Sequence, residues 1–284
     1  MQLTCVYGTT SCTLCQGYPA EFLRNSCICG KNGREQPADS KDGGLRMSYL
    51  SRRDIEKIAD QIFRDYKRLP CLEGQQVDHV DPEILAHELC GLHIDHFHLS
   101  KDGLTLGMTA FKEMGVEVYD ESGQPCFYYL DGKTLLIEKD LKDDPAQYGR
   151  YHFTTAHEVA HQVLARLYPS DKVLQNRVIY YRGYAPQHPI QDWDEWQADN
   201  LASALLMPVE IVYGALKRFD LENGIDILNK IFRQKDYDRF CKMAEHLGVS
   251  KQALSIRLKR MGLLKQEYLK NPYALVAIEK EDDE

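Results

Sequence analysis

The run Thr155-Ala156-His157-Glu158-Val159-Ala160-His161-Gln162-Val163-Leu164 constrains this chain more than any other stretch. Each residue of an α-helix advances about 100°, so His157 and His161 stand about 40° apart on one stripe, with Glu158 beside it. Two imidazoles one turn apart can grip a single divalent ion, and the neighbouring carboxylate can take a proton from water at that ion. Zinc suits the set: it binds imidazole nitrogen at about 2.0–2.1 Å and in catalytic sites keeps one position for water. The flanks predict the helix. Asp144-Pro145 reads as a cap followed by a first-turn proline, and Pro169 stops the run. Ala156, Val159, Ala160, Val163, Leu164 and Leu167 form an apolar face that would bury the helix and leave the ligands at the edge of a cleft.

A third ligand is expected downstream. In the segment from Asp194 to Pro208, Glu195 and Asp199 lie four apart on one stripe, bordered by Ala198 and Ala202. Small residues there let this helix approach the His helix, so Glu195 can complete the set His157, His161, Glu195, and Asp199 can hydrogen-bond a ligand imidazole from behind. Alone, the segment would read as an amphipathic helix with acids on its wet side; the preceding motif makes it a candidate ligand.

Phe153-Thr154-Thr155-Ala156-His157-Glu158-Val159-Ala160-His161, followed by Glu195-x-x-Ala198-Asp199-x-x-Ala202-x-x-Leu205-Leu206-Met207-Pro208, resembles the ImmA/IrrE family of zinc metallo-endopeptidases. The resemblance extends to His246-Leu247-Gly248-Val249-Ser250-x-x-Ala253-Leu254-x-x-Arg257-Leu258-x-x-Met261-Gly262-Leu263 and covers roughly Ser48 to Leu264. Three positions depart from the family pattern: Ala160 in place of Gly, Gln197 in place of Glu, and Asp199 in place of Asn. None removes a ligand, though Asp199 adds a charge near the metal. The resemblance implies an α+β, zincin-like metallopeptidase core with one catalytic Zn2+ on His157, His161 and Glu195 and with Glu158 as general base. It also implies a regulatory endopeptidase whose substrate is a helix-turn-helix transcriptional repressor, in stress responses or mobile-element control. The competing expectations are a DNA-binding or repressor-binding regulator with a non-catalytic zinc site.

Composition sets bounds. The chain has 284 residues, 43% of them hydrophobic, enough for one substantial core and a smaller module. Its net charge of −8 disfavours a protein that coats nucleic acid. No run reaches the roughly 18 apolar residues of a membrane span, and no basic region followed by an apolar core marks a secretion signal. Nine cysteines, an odd number without disulfide-like spacing, suit a reducing cytoplasm. Nothing in the sequence indicates an oligomeric state.

Residues 1–46 carry Cys5, Cys12, Cys15, Cys27 and Cys29 among glycines, with no helical or strand period. Cys12, Cys15, Cys27 and Cys29 could hold a second, structural zinc, but the spacing is not that of a standard ribbon and a flexible extension is the preferred expectation. Met47 is a candidate natural start, since helical patterning begins just after it. The expected division is therefore 1–46 as an extension, 47–212 as the metallopeptidase core, and 213–284 as a helical, helix-turn-helix-like segment with an acidic tail from Glu279.

Within the core, Ile55, Ile58, Ala59, Ile62, Phe63 and Tyr66 predict a helix from Ser51, and Asp81-Pro82 opens a shorter one ending near Gly91. His87-Glu88-Leu89-Cys90-Gly91-Leu92-His93 imitates the metal motif, but six residues turn the rings about 120° apart. His93, His96 and His98 are read as a strand face near a sheet edge. Leu106–Phe111, Val116–Tyr119, Cys126–Leu130 and Thr134–Glu138 predict short strands of a small, mostly antiparallel sheet packed on the helices, with Asp131-Gly132 as a hairpin turn. An edge strand could receive an extended peptide through main-chain bonds.

Between the metal segments, the stretch from Asn176 to Tyr184 with His188 reads as a polar, aromatic connection. Arg177, Tyr180, Tyr181, Arg182, Tyr184 and His188 are the candidates for a donor to a developing oxyanion, with no means of choosing among them. After Pro208 the chain reads as helices. Ser250 is an expected N-cap, and Lys251, Arg257, Lys259, Arg260 and Lys265 form an acid-free basic row. A DNA-reading helix has this character, as does the solvated face of a docking helix, and the docking face is preferred.

Overall fold

The computed structural model describes residues 50–168, 178–182 and 193–275. The expected structural zinc at Cys12, Cys15, Cys27 and Cys29, the start at Met47 and the acidic tail from Glu279 all lie outside the described residues.

Ser51 opens the first helix, accepting the Asp54 N–H on its hydroxyl at 3.3 Å. In α1 (Arg52–Tyr66) the buried residues are Ile55, Ile58, Ala59, Ile62, Phe63 and Tyr66, the stripe that the 3.6-residue period predicts. Asp81 caps α2 (Pro82–Ile84), accepting the N–H groups of Glu83 and Ile84, and the chain continues as a π-helix over Leu85–Leu89. Gly91, at φ +61°, ends it.

The main sheet has the order β1-β5-β2-β6, from β1 (His93–Phe97), β2 (Gly107–Ala110), β5 (Thr134–Glu138) and β6 (Val178–Tyr181). β1 runs parallel to β5, while β5–β2 and β2–β6 are antiparallel. β1 is indeed an edge strand. β3 (Glu113–Tyr119) and β4 (Pro125–Asp131) form a separate antiparallel hairpin.

Three expectations are corrected here. Asp131-Gly132 is not a hairpin turn: β4 pairs back onto β3, with Glu113 opposite Asp131, and at Gly132 the chain crosses into the main sheet. The hairpin turns instead at Asp120, whose carboxylate accepts the N–H groups of Ser122 and Gln124. Gly132 is still required, since its φ is +79° and a Cβ there would meet the Phe111 carbonyl at 3.0 Å. Second, part of the stretch from Asn176 to Tyr184 is a strand: Val-Ile-Tyr-Tyr are strand formers, but four residues are too few to display a period. Third, the C-terminal segment is not wholly helical. β7 (Ile225–Leu228) pairs in parallel with β8 (Leu264–Glu267), a contact between residues nearly forty positions apart that local pattern cannot report.

After β5 comes α3 (Lys139–Asp143), and Asp144 then caps a 3-10 turn, Pro145–Gln147, that runs directly into α4 (Tyr148–Leu167); it is not the N-cap of the α-helix itself. The expectation of a single buried face on α4 also fails. Every residue from Thr154 to Ala165 is buried, because the helix lies between the main sheet and α5 (Trp193–Leu206). Gln162 ties it to the sheet, donating to Thr109 Oγ1 at 2.8 Å and to the Ala110 carbonyl at 2.9 Å. On α5, Ala198 and Ala202 are fully buried, as the close approach requires.

The boundary expected after residue 212 falls inside α6 (Val209–Arg218). One hydrophobic cluster runs from Leu50 through α1, α4 and α5 to Phe240 and Met243 of α7 (Gln234–His246) and Leu254 and Leu258 of α8 (Lys251–Arg260). The C-terminal helices thus share the core of the rest. Ser250 caps α8, accepting the Ala253 N–H at 3.1 Å. No helix among the described residues is long and apolar enough to cross a membrane.

Candidate metal centre

α4 and α5 bring His157, His161 and Glu195 together. His157 Nε2 and His161 Nε2 are 3.0 Å apart. Glu195 sets one carboxylate oxygen 3.2 Å from His157 Nε2 and the other 3.4 Å from His161 Nε2. The edge of a regular tetrahedron is about 1.6 times its centre-to-corner distance, so bonds of about 2.0–2.1 Å place ligand atoms about 3.3 Å apart. These three side chains therefore have the nature and spacing of a group that could hold a metal ion.

The surroundings hold the rings in place. Asp199 Oδ1 lies 3.0 Å from His157 Nδ1, where an acceptor directs the imidazole's other nitrogen toward the shared point. Tyr181 of β6 packs its ring 4.1 Å from that of His157, centroid to centroid. The imidazoles are buried, while the Glu195 side chain is 32% exposed, so the centre opens to solvent on the α5 side.

Electrostatics follow from this crowding. At His157 burial opposes the charged ring, but the Asp199 and Glu195 carboxylates outweigh it and hold the pKa up at about 9. Burial wins at His161 and lowers it. Burial also opposes ionisation of Glu195, yet hydrogen bonds with His157 and His161 hold its carboxyl well below the ordinary range. The site is thus a carboxylate facing two imidazoles, a charge pattern suited to a divalent cation.

Glu158 is different. It is fully buried, and neither carboxylate oxygen has a hydrogen-bond partner among the described residues. Burial pushes its carboxyl up to about 8. It lies against β2, where a Cβ on Gly107 would run into Glu158 Oε1 and approach Thr154 Cγ2 at 2.9 Å. Gly107 was not foreseen as a site residue. The signal was present nonetheless, because a glycine inside an apolar strand run often marks a close approach.

Among the oxyanion candidates, Tyr181 is buried against His157, Tyr180 is exposed and Arg182 is exposed. Arg177, Tyr184 and His188 lie outside the described residues. The imitation motif brings His87 and His93 only to 6.4 Å between ring centroids, and neither belongs to a metal-holding group among the described residues. A second cluster, His98, Glu138 and Asp140, has the spacing of such a group. Its buried member is already satisfied: Glu138 Oε1 lies 2.9 Å from His98 Nδ1 and Oε2 accepts the Leu99 N–H at 2.8 Å.

Of the basic row near α8, Arg257 is buried and paired with Glu56, while the exposed Lys259 and Lys265 pair with Glu267 and Asp226 and Lys251 and Arg260 are exposed. No protein-family model matches the chain, and no curated protein matches it.

Proposed function

We propose that this protein is a zinc-dependent endopeptidase with a zincin-like core, in which His157, His161 and Glu195 hold the ion and Glu158 is the general base. The observation that supports this reading best is the convergence of three ligands at tetrahedral spacing beside a buried carboxylate whose two oxygens lack partners. A bound zinc ion supplies Lewis-acid chemistry, polarising a carbonyl and acidifying a water. The chain's own residues do the rest. Asp199 keeps the His157 ring aimed through Nδ1, and Tyr181 restricts its tilt. Glu158 takes a proton from the attacking water and returns it to the departing amine; its upward-shifted affinity for protons suits both halves of that task. The exposed side of Glu195 admits substrate, and β6, at the edge of the sheet next to His157, offers main-chain groups to an extended peptide. A helix-turn-helix repressor is the proposed substrate, on the strength of the motif resemblance.

Purified full-length protein loaded with zinc is expected to cut such a repressor at one or few positions. Chelator should stop the cut and added zinc should restore it. A stable, uncut complex of the two proteins would instead make the chain a binding regulator.

Gly107→Ala should lower that cleavage by about 10²-fold while zinc content holds, since the new methyl displaces Glu158 and misplacement of about 1 Å at a reacting group costs this much. Undiminished turnover in the variant, measured beside its metal stoichiometry, would remove Gly107 from the site.

A further inference from the structure

The β3–β4 hairpin buries one face and leaves the other bare. Val116, Val118 and Leu130 pack against Met108, Ala110 and Leu136 of the main sheet. Side chains alternate along a strand, so Glu113, Gly115 and Glu117 of β3 share the outer face with Phe127 and Tyr129 of β4, and all five are exposed. We propose that this outer face docks a peptide segment bearing arginine or lysine, with one cationic side chain lying across Gly115.

The first ground is the glycine. Inside a strand, glycine costs backbone entropy and gives up a cross-strand contact, so its presence needs a reason. Local geometry supplies none. The φ of Gly115 lies outside the left-handed region, and the register runs unbroken from Glu113 opposite Asp131 to Tyr119 opposite Pro125, without a bulge. Internal packing supplies none either, since a Cβ there would meet nothing within 4 Å. What remains is close approach by something outside the fold.

The second ground is what rims this notch. Phe127 is 86% exposed and Tyr129 64%, large aromatic areas for a strand to leave in water. Tyr129 lies opposite Gly115 and its hydroxyl donates to Glu113 Oε2 at 2.9 Å, while Phe127 lies opposite Glu117. Neither Glu113 nor Glu117 has a basic partner among the described residues, and no base stands on the face. An aromatic ring beside an unpaired carboxylate attracts a guanidinium or ammonium through both its π-face and its neighbour's charge. The fold already contains one such contact: Lys101 Nζ lies 5.4 Å from the centre of the Tyr119 ring, whose hydroxyl donates to Glu117. The Tyr129–Glu113 pair repeats that arrangement without a cation among the described residues. Charge also selects the occupant. A second copy of the chain would bring two acidic faces together, and nucleic acid would set phosphates against carboxylates. The inference uses none of the proposed metal ligands and stands or falls apart from the peptidase reading.

The test is fluorescence anisotropy of two labelled peptides, one of alternating glycine and arginine and one of alternating glycine and lysine, titrated with full-length protein at physiological ionic strength. A peptide of alternating glycine and glutamate is the control. Saturable binding of at least one cationic peptide, and none of the acidic one, is expected. Gly115→Thr should weaken it about tenfold or more by filling the notch and lifting the cation from the Tyr129 ring. The urea midpoint of that variant should hold or rise, since threonine is the better strand former. Glu113→Gln/Glu117→Gln keeps the shape, removes the charge and should weaken binding similarly; it serves alone if Gly115→Thr does not fold. Absence of saturable binding overturns the proposal. So does equal affinity in a folded variant, which would put the peptide on another acidic part of a chain of net charge −8. Self-association that Gly115→Thr abolishes, without peptide binding, would give the face to a second copy and overturn it too.

Discussion

Glu158→Gln should lower peptide-bond cleavage by about 10²–10⁴-fold, the range general-base help contributes, while the protein keeps its full complement of zinc. Glutamine has nearly the same shape, so it fits the fully buried space against Gly107 without new overlap. His157, His161 and Glu195 keep their positions, so the ion has no reason to leave. Only the ability to accept a proton is lost. Rates on one substrate, set beside zinc per chain by atomic absorption, separate the two effects. Wild-type turnover in a contaminant-free variant would eliminate Glu158 as the base. Loss of zinc along with activity would mean that this carboxylate helps to hold the ion.

The second large effect concerns the join between the C-terminal helices and the rest. Arg257→Ala is expected to cost about 2–4 kcal/mol of unfolding free energy. Its side chain is 3% exposed, closes a pair with Glu56 across two hundred residues of sequence, and satisfies the Met207 carbonyl at the end of α5. Truncation leaves that carbonyl buried without a donor and opens a cavity. Glu56 is 36% exposed and can return to water, which keeps the loss below that of a fully buried pair. Glu56→Gln should cost about 2–3 kcal/mol by another route, since glutamine keeps one acceptor but leaves the buried guanidinium without its countercharge. Urea unfolding of the full chain measures both, and a loss below about 1 kcal/mol for Arg257→Ala would mean that the join does not depend on this clamp.

Arg257 also shows where pattern reading misleads. In sequence it is one of five bases in an acid-free row, the mark of a solvated or DNA-facing helix. In the fold it is a structural clamp, since the carboxylate that neutralises it belongs to α1 and is invisible to any local window. The β7–β8 pair and the crossing at Gly132 escaped for the same reason: strand pairing depends on which segments meet, and runs of four residues carry too little periodicity to announce it.

By itself the sequence determined the helices whose period is long enough to read, the helix starts at Ser51 and Asp81, the cap at Ser250, and the candidate ligands, because i,i+4 spacing on a helix is a local property that the backbone enforces. Only the tertiary structure decided that Glu195 meets the two imidazoles while Asp199 stands behind His157, that Gly107 makes room for Glu158, and that the C-terminal helices share the core. Each of these is a contact between distant segments. It exists because packing apolar faces leaves few ways to bring α4, α5 and β2 together, and no single segment contains that information.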